Sequence, residues 1–179
     1  MLIGMPGTGK TTTGRRLARM LAVPFADSDA LVETRTGRTV AELFAEVGEA
    51  AFRAHEAAAV QDALSDFAGV LALGGGAVLD AGTRAALADS GVPVVLLRAE
   101  IATLAGRVGD GHVRPLLGGD HVARLSQLSA DRDAVYVECA TLTADTDRRT
   151  PAQVAAHIAA RLHDPASARQ RADGRRAHE

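Results

Sequence analysis

The octapeptide Gly4-Met5-Pro6-Gly7-Thr8-Gly9-Lys10-Thr11 constrains this chain more than any other stretch. It fits G-x-x-x-x-G-K-[ST] at every fixed position, a pattern whose glycines let the backbone turn tightly and point successive N–H groups inward. The flanks supply the context the pattern requires. Met1-Leu2-Ile3 reads as a strand end and Thr12 to Leu21 as a helix, so a chain built around this loop must place a strand, a turn and a helix in succession. The helix opening near Lys10 adds its positive N-terminal end to the same nest. Lys10 is the only lysine among 20 Lys and Arg residues. Gly7, Thr8, Gly9, Lys10, Thr11 and Thr12 are therefore the expected contacts of a nucleoside triphosphate, with Lys10 bridging its β- and γ-phosphates and the Thr11 hydroxyl a ligand of one Mg²⁺. A glycine turn that precedes a helix by chance is the bland alternative, and the strand-to-helix flanks argue against it. Only three residues precede Gly4, so the first strand is expected to be short against a usual length of about five or six. A true start upstream is expected, with stability the quantity most at risk.

Beyond the loop, short β-like runs alternate with helical stretches, as an α/β parallel sheet requires. The strand candidates are Met1 to Gly4, Val23 to Ala26, Val70 to Leu73, Val92 to Leu97 and Thr141 to Ala144. Helices are predicted at Lys10 to Leu21, Ala30 to Thr36, Thr39 to Val47, Glu49 to Asp66, Thr83 to Asp89, Ile101 to Val108, Val122 to Val137 and Pro151 to Leu162. The predicted fold is α/β, a three-layer sandwich with a five-stranded parallel sheet flanked by helices, in one domain over residues 1–163. Length fits, since 179 residues hold one good core and not two domains of ordinary size. The glycine- and proline-bounded stretch Gly109 to Asp120 reads as a mobile loop, and 164–179, poor in large apolar residues, as a disordered tail.

Composition excludes several classes. A net charge of -2 with 47% apolar residues gives no basic surface for nucleic acid. No run approaches the roughly 18 apolar residues of a membrane span, and the phosphate loop stands where a secretory leader would need a basic segment, so a cytoplasmic protein is expected. The single Cys139 reads as a small core residue, and the six scattered histidines have no zinc-binding spacing. A monomer is the simpler expectation for a chain without a long amphipathic seam.

The reaction must be read from what surrounds the loop. The best apolar strand, Val70 to Leu73, ends in Gly74-Gly75-Gly76 where many phosphate-loop proteins carry a magnesium-binding Asp. The nearest carboxylates are Asp27 and Asp29, which at the period-two spacing of an extended chain would project to one side, one toward metal and one toward substrate. Their bland reading is a helix cap and a turn residue, since Ser28 and Asp29 are good caps.

In order along the chain follow Phe52-Arg53 and Glu56, Gly74-Gly75-Gly76-Ala77, Val113-Arg114-Pro115-Leu116, Arg132 before Tyr136, and Arg149 to Pro151. Together with the loop and Asp27-Ser28-Asp29, this ordered set resembles the shikimate kinases over nearly the whole chain. The resemblance implies a P-loop kinase fold with a mobile lid at about 109–121, ATP as co-substrate with one Mg²⁺, and shikimate as the small-molecule acceptor. It implies that Asp29 binds substrate hydroxyls and acts as, or orients, the base, and that Asp27 sits beside Mg²⁺. Arg53 and Arg132 would bind the substrate carboxylate, Gly75 and Gly76 would offer backbone amides, and Arg114 would close with the lid onto the transferred phosphoryl group. Arg107 and Pro151 would flank the adenine, with Arg149 and Thr150 bordering that site.

Each arginine also has a bland reading. Arg53 could pair with Glu56 at the i, i+3 spacing of a surface helix for about 0.2–0.5 kcal/mol, and Arg132 could belong to a solvated face with Arg124 and Asp131. Two rival functions remain at this level: a kinase of another hydroxy acid such as gluconate, and a nucleotide-binding regulatory module without turnover.

Overall fold

The computed structural model describes residues 1–108 and 121–164. The predicted lid at about 109–121 and tail at 164–179 lie outside them, except for the boundary residues His121 and Asp164, and so does Arg114. Five short strands, β1 (Leu2–Ile3), β2 (Phe25–Asp27), β3 (Val70–Ala72), β4 (Val95–Arg98) and β5 (Leu142–Asp145), form one sheet in the order β2-β3-β1-β4-β5. Every pairing is parallel. The helices are α1 (Lys10–Leu21), α2 (Ser28–Thr36), α3 (Val40–Asp66), α4 (Ala81–Ser90), α5 (Ile101–Val108), α6 (His121–Cys139) and α7 (Pro151–His163), with a 3₁₀ turn at Ala77–Leu79. This is the α/β sandwich that the alternation predicts.

The strands read as unbroken apolar runs because helices cover both faces of the sheet. Successive residues point to opposite sides. Leu2, Val70, Val95 and Leu97 pack with Leu17 and Ala18 of α1 and with Val154, Ala155 and Ile158 of α7. Ile3, Leu71, Leu73 and Leu96 face the other layer, against Val60 of α3, Leu87 of α4, Leu104 of α5 and Leu125 and Tyr136 of α6. A smaller cluster of Val32, Leu43, Phe52 and Ala59 joins α2 to α3 and holds the segment carrying Arg53 and Glu56.

Four strands begin later than the apolar pattern suggests, β1 and β5 by one residue and β2 and β4 by more. Pro24 and Pro93 lack the N–H that a ladder needs, so pairing starts beyond them, at Phe25 and Val95. The two helices expected at 39–47 and 49–66 meet at Gly48, whose φ of 77° and ψ of 173° are not helical, so the α3 stretch is two helices joined at a kink. Cys139 is a half-buried free thiol packed against the core, and burial raises its pKa.

Sheet order decides where a ligand can sit. The chain leaves β1 to one side for β2 and β3 and to the other for β4 and β5, which makes the carboxyl end of β1 the switch point where open parallel sheets open a crevice. The phosphate loop emerges there, flanked by the segment after β3 that begins at Leu73 and by the end of β4. Among the described residues, no helix is long and apolar enough to cross a membrane.

Candidate active site

The loop between β1 and α1 has the conformation that its glycines allow. Gly7 and Gly9 both sit at φ 84°, in the left-handed region that a side chain strains. Gly9 caps α1 without a side-chain hydrogen bond, and the first turn carries no acidic residue. The first N–H groups of α1 are thus left facing the loop, where an anion is favoured by both their hydrogen-bonding needs and the helix dipole. The Lys10 ammonium donates to the carbonyls of Gly4 and Met5 at 2.8 and 3.1 Å, which lays its side chain along the loop. A cleft of about 440 Å³ opens over this loop. It is lined by Gly7, Thr8, Gly9, Lys10, Thr11 and Thr12 and, from distant parts of the chain, by Arg107, Arg149 and Pro151. Of the described residues predicted from sequence to meet the nucleotide, all but Thr150 line one cavity.

Sequence spacing missed three lining residues, Thr13, Thr146 and Val154. Thr146 is buried, and its hydroxyl and carbonyl accept from the Arg107 guanidinium at 2.9 and 2.7 Å. A weaker Arg107 contact reaches the Gly7 carbonyl at 3.4 Å. Thr150 caps α7 through a reciprocal box with Gln153, fixing Pro151 at the helix start beside the cleft.

The two carboxylates are brought together in a different way from the one their spacing suggests. Asp27 ends β2, but Asp29 lies in the first turn of α2, so an extended chain with period two does not describe them. Asp27 is itself the N-cap, its Oδ1 accepting from the Asp29 N–H at 3.2 Å, so the bland reading of the pair as including a helix cap holds for Asp27, with Ser28 and Asp29 inside the helix. Its other oxygen, Oδ2, accepts from the Thr11 hydroxyl at 2.8 Å. The cap and the link to the phosphate loop are therefore one side chain with two oxygens in use. A hydroxyl and a carboxylate side by side at the head of α1 are hard oxygen donors of the kind Mg²⁺ takes, so the residues fit that ion.

The turn after β3 collects the remaining predicted residues. A Cβ on Gly74 would stand 2.8 Å from Asp29 Oδ1 and would collide with Glu56 Oε1. The Gly75 carbonyl accepts from Arg132 at 3.1 Å and from the Tyr136 hydroxyl at 2.5 Å, both on α6. A Cβ on Gly76 would run into the Arg53 guanidinium. Arg53 is held by Glu56 at 2.5 Å and by Glu49 at 3.2 Å, and it stacks on Phe52 and Phe44 at 5.2 and 5.9 Å from the ring centroids. The exposed Arg53–Glu56 pair offered by helix spacing is not what forms. Glu56 is only 1% exposed, which makes this a largely desolvated pair whose partner cannot be removed cheaply. Nor does Arg132 lie on a solvated face, since it turns inward to Gly75.

Close approach at Gly74 yields a prediction with a definite sign. Alanine in place of glycine stabilises by about 0.4–1 kcal/mol where space allows. Gly74→Ala is instead expected to destabilise by about 1–3 kcal/mol, the cost typical of overpacking, because its methyl must displace two carboxylates. Urea unfolding of the two proteins checks this, and an equal or higher midpoint would show that the carboxylates can move away.

Three comparisons with known proteins agree. A family model described as Shikimate kinase matches residues 6–163. A shikimate kinase of Thermobifida fusca is 50% identical over 162 residues, covering 90% of this chain and 93% of the relative. One of Mycobacterium tuberculosis is 48% identical over 166 residues, covering 92% and 93%. Among solved structures, a shikimate kinase from Acinetobacter baumannii in complex with shikimate superposes with a TM-score of 0.83 at 36% identity, covering 88% of each chain.

Proposed function

The chain belongs to the shikimate kinase family and is an ATP-dependent kinase, and on that premise we propose that residues 1–163 act as one kinase domain that transfers the γ-phosphoryl group of ATP to the 3-hydroxyl of shikimate. The products are shikimate 3-phosphate and ADP. One observation carries the reading: three consecutive glycines beside the phosphate loop are met by Asp29 from α2, Arg132 from α6 and Arg53 from α3. That set is complementary to a small acid bearing hydroxyls. Two planar guanidinium forks suit a carboxylate, and a carboxylate suits an alcohol whose proton must leave.

The residue roles follow from this arrangement. Arg53 and Arg132 bind the substrate carboxylate, while Gly75 and Gly76 let the substrate approach backbone amides. Asp29 accepts a hydrogen bond from the acceptor hydroxyl and takes its proton, or orients it, as the oxygen attacks the γ-phosphorus and the bond to the ADP oxygen breaks. Gly7, Thr8, Gly9 and Thr12 hold the phosphates with backbone and hydroxyl groups, and Lys10 and Arg114 neutralise charge on the transferred group. Arg107 and Pro151 flank the adenine, with Arg149 and Thr150 at its border. Thr11 and Asp27 would hold Mg²⁺, which when bound offsets the negative charge of the β- and γ-phosphates. Most of the catalysis in such a site comes from positioning and charge neutralisation, since the transition state asks for little covalent participation by the protein. A monomer in the cytoplasm is part of the proposal, tested by size-exclusion chromatography and cell fractionation.

The deciding experiment is ADP release from Mg²⁺-ATP with shikimate, quinate or gluconate as acceptor, with product masses recorded. Shikimate-dependent release is expected. Release with gluconate alone would identify a different hydroxy-acid kinase, and nucleotide binding without release would identify a regulatory module. Arg53→Lys keeps a positive charge but loses the fork, so it is expected to raise the KM for shikimate roughly tenfold, as lost charged hydrogen bonds do, with the KM for ATP unchanged. Equal effects on both substrates would remove Arg53 from the acceptor site.

A further inference from the structure

We infer that Ser28 of α2 and Tyr136 of α6, two buried hydroxyls, are positioning residues that clamp the Gly74–Gly75 backbone and so set shikimate affinity. Neither hydroxyl is available to a ligand, because Ser28 is 0% exposed and Tyr136 1%. Ser28 lies between Asp27 and Asp29, and its oxygen accepts from the Gly74 N–H at 2.8 Å across 46 residues of sequence. Tyr136 donates to the Gly75 carbonyl at 2.5 Å across 61 residues. Arg132, one helical turn before Tyr136, donates to the same carbonyl at 3.1 Å.

The consequence is geometric. Ser28 holds the Leu73–Gly74 peptide by its N–H and Tyr136 holds the Gly75–Gly76 peptide by its C=O, and because that peptide is planar the direction of the Gly76 N–H is set with it. A backbone bond from the Ala77 N–H to the Gly74 carbonyl at 3.0 Å closes the turn, and the hydroxyls add a constraint on residues that otherwise have the widest backbone freedom. The clamp also ties three elements to one turn: α2 with Asp29, α6 with Arg132, and the strand end itself. Burial raises the Tyr136 pKa, partly opposed by Arg132, so the phenol remains a neutral donor across the working pH range. If its proton were lost, two acceptors would face each other.

The inference rests on the reading of this site as a shikimate site, and its test has one arm that does not. Ser28→Ala leaves the Gly74 N–H without its acceptor, and Tyr136→Phe removes only an oxygen from a packed ring. Each is expected to raise the KM for shikimate by about three- to tenfold, the range that one lost neutral hydrogen bond spans, while the KM for ATP stays within about twofold because the phosphate loop is untouched. Ser28→Thr, which keeps the hydroxyl, should recover most of the loss. Equal changes in both KM values, or a lowered melting temperature with neither KM altered, would overturn the inference and leave the hydroxyls as general core contacts. Amide hydrogen exchange supplies the independent arm. Without any substrate, Gly74 is expected to exchange faster in Ser28→Ala than in the parent, and unchanged protection there would sink the clamp whatever the acceptor proves to be.

Discussion

Replacing Lys10 with alanine is expected to lower kcat by roughly 10²–10³-fold, the loss typical when one preorganised donor to developing charge is removed, with the fold retained. The ammonium lies against the loop carbonyls of Gly4 and Met5 before any nucleotide is considered. It therefore needs little reorganisation to meet the phosphates, and three described arginines around the site are already committed to other partners. Arg107 is engaged with Thr146 and Gly7, Arg53 with two glutamates and Arg132 with Gly75. Losing two neutral acceptors' worth of contact costs about 1–3 kcal/mol of stability at most. Steady-state kinetics beside a melting curve separates the outcomes. A heavy loss of kcat with a melting point close to the parent's supports a role for the ammonium in phosphoryl transfer. A rise in the KM for ATP with kcat preserved would show that Lys10 only binds nucleotide.

The phosphate loop was legible in the sequence because all its determinants are local. Three glycines at positive φ, a lysine and a helix start lie within eight residues, so spacing alone specifies the geometry. The strands were legible for a related reason: helices on both faces turn each strand into a plain apolar run. The start of β3 at Val70 was read correctly, but those of β2 and β4 were not, because a proline inside an apolar run looks like part of it until its missing N–H is considered. The carboxylate pair marks the boundary of what spacing can give. Asp27 and Asp29 stood out as a pair, but the strand ends at the first and a helix begins before the second, so their relation is that of a cap to its helix.

What the sequence hid is long-range and neutral. Ser28, Tyr136 and Thr146 act on partners 39 or more residues away; Ser28 and Tyr136 were noticed only as neighbours of Asp27, Asp29 and Arg132, Thr146 not at all, and no local pattern gave their partners. Glu56 was visible as a partner for Arg53, but its burial was not. That burial follows from Phe52 and the small cluster between α2 and α3, which no local pattern announces. Such residues support the charged groups from behind, so their type is ordinary and only their placement is special.

Asp29→Asn is the second large expected effect and the one that divides the carboxylate roles. It should lower kcat by about 10²–10⁴-fold, the range for removal of a general base, and for structural reasons the loss should not come from misfolding. Asparagine keeps the size, and the backbone N–H at position 29 still donates to Asp27, so the start of α2 is preserved. Asp27→Asn is predicted to behave differently. That side chain touches Thr11 and not the glycine turn, so its loss should move the Mg²⁺ concentration needed for half-maximal activity, whereas Asp29→Asn should leave that concentration alone. A magnesium titration of both variants reads this directly. If Asp29→Asn shifts the titration as much as Asp27→Asn does, both carboxylates belong to the metal, and the acceptor hydroxyl must lose its proton without a protein base. If only Asp27→Asn shifts it, the short step from strand end to helix turn has separated metal and substrate chemistry onto two residues that a single cap holds together.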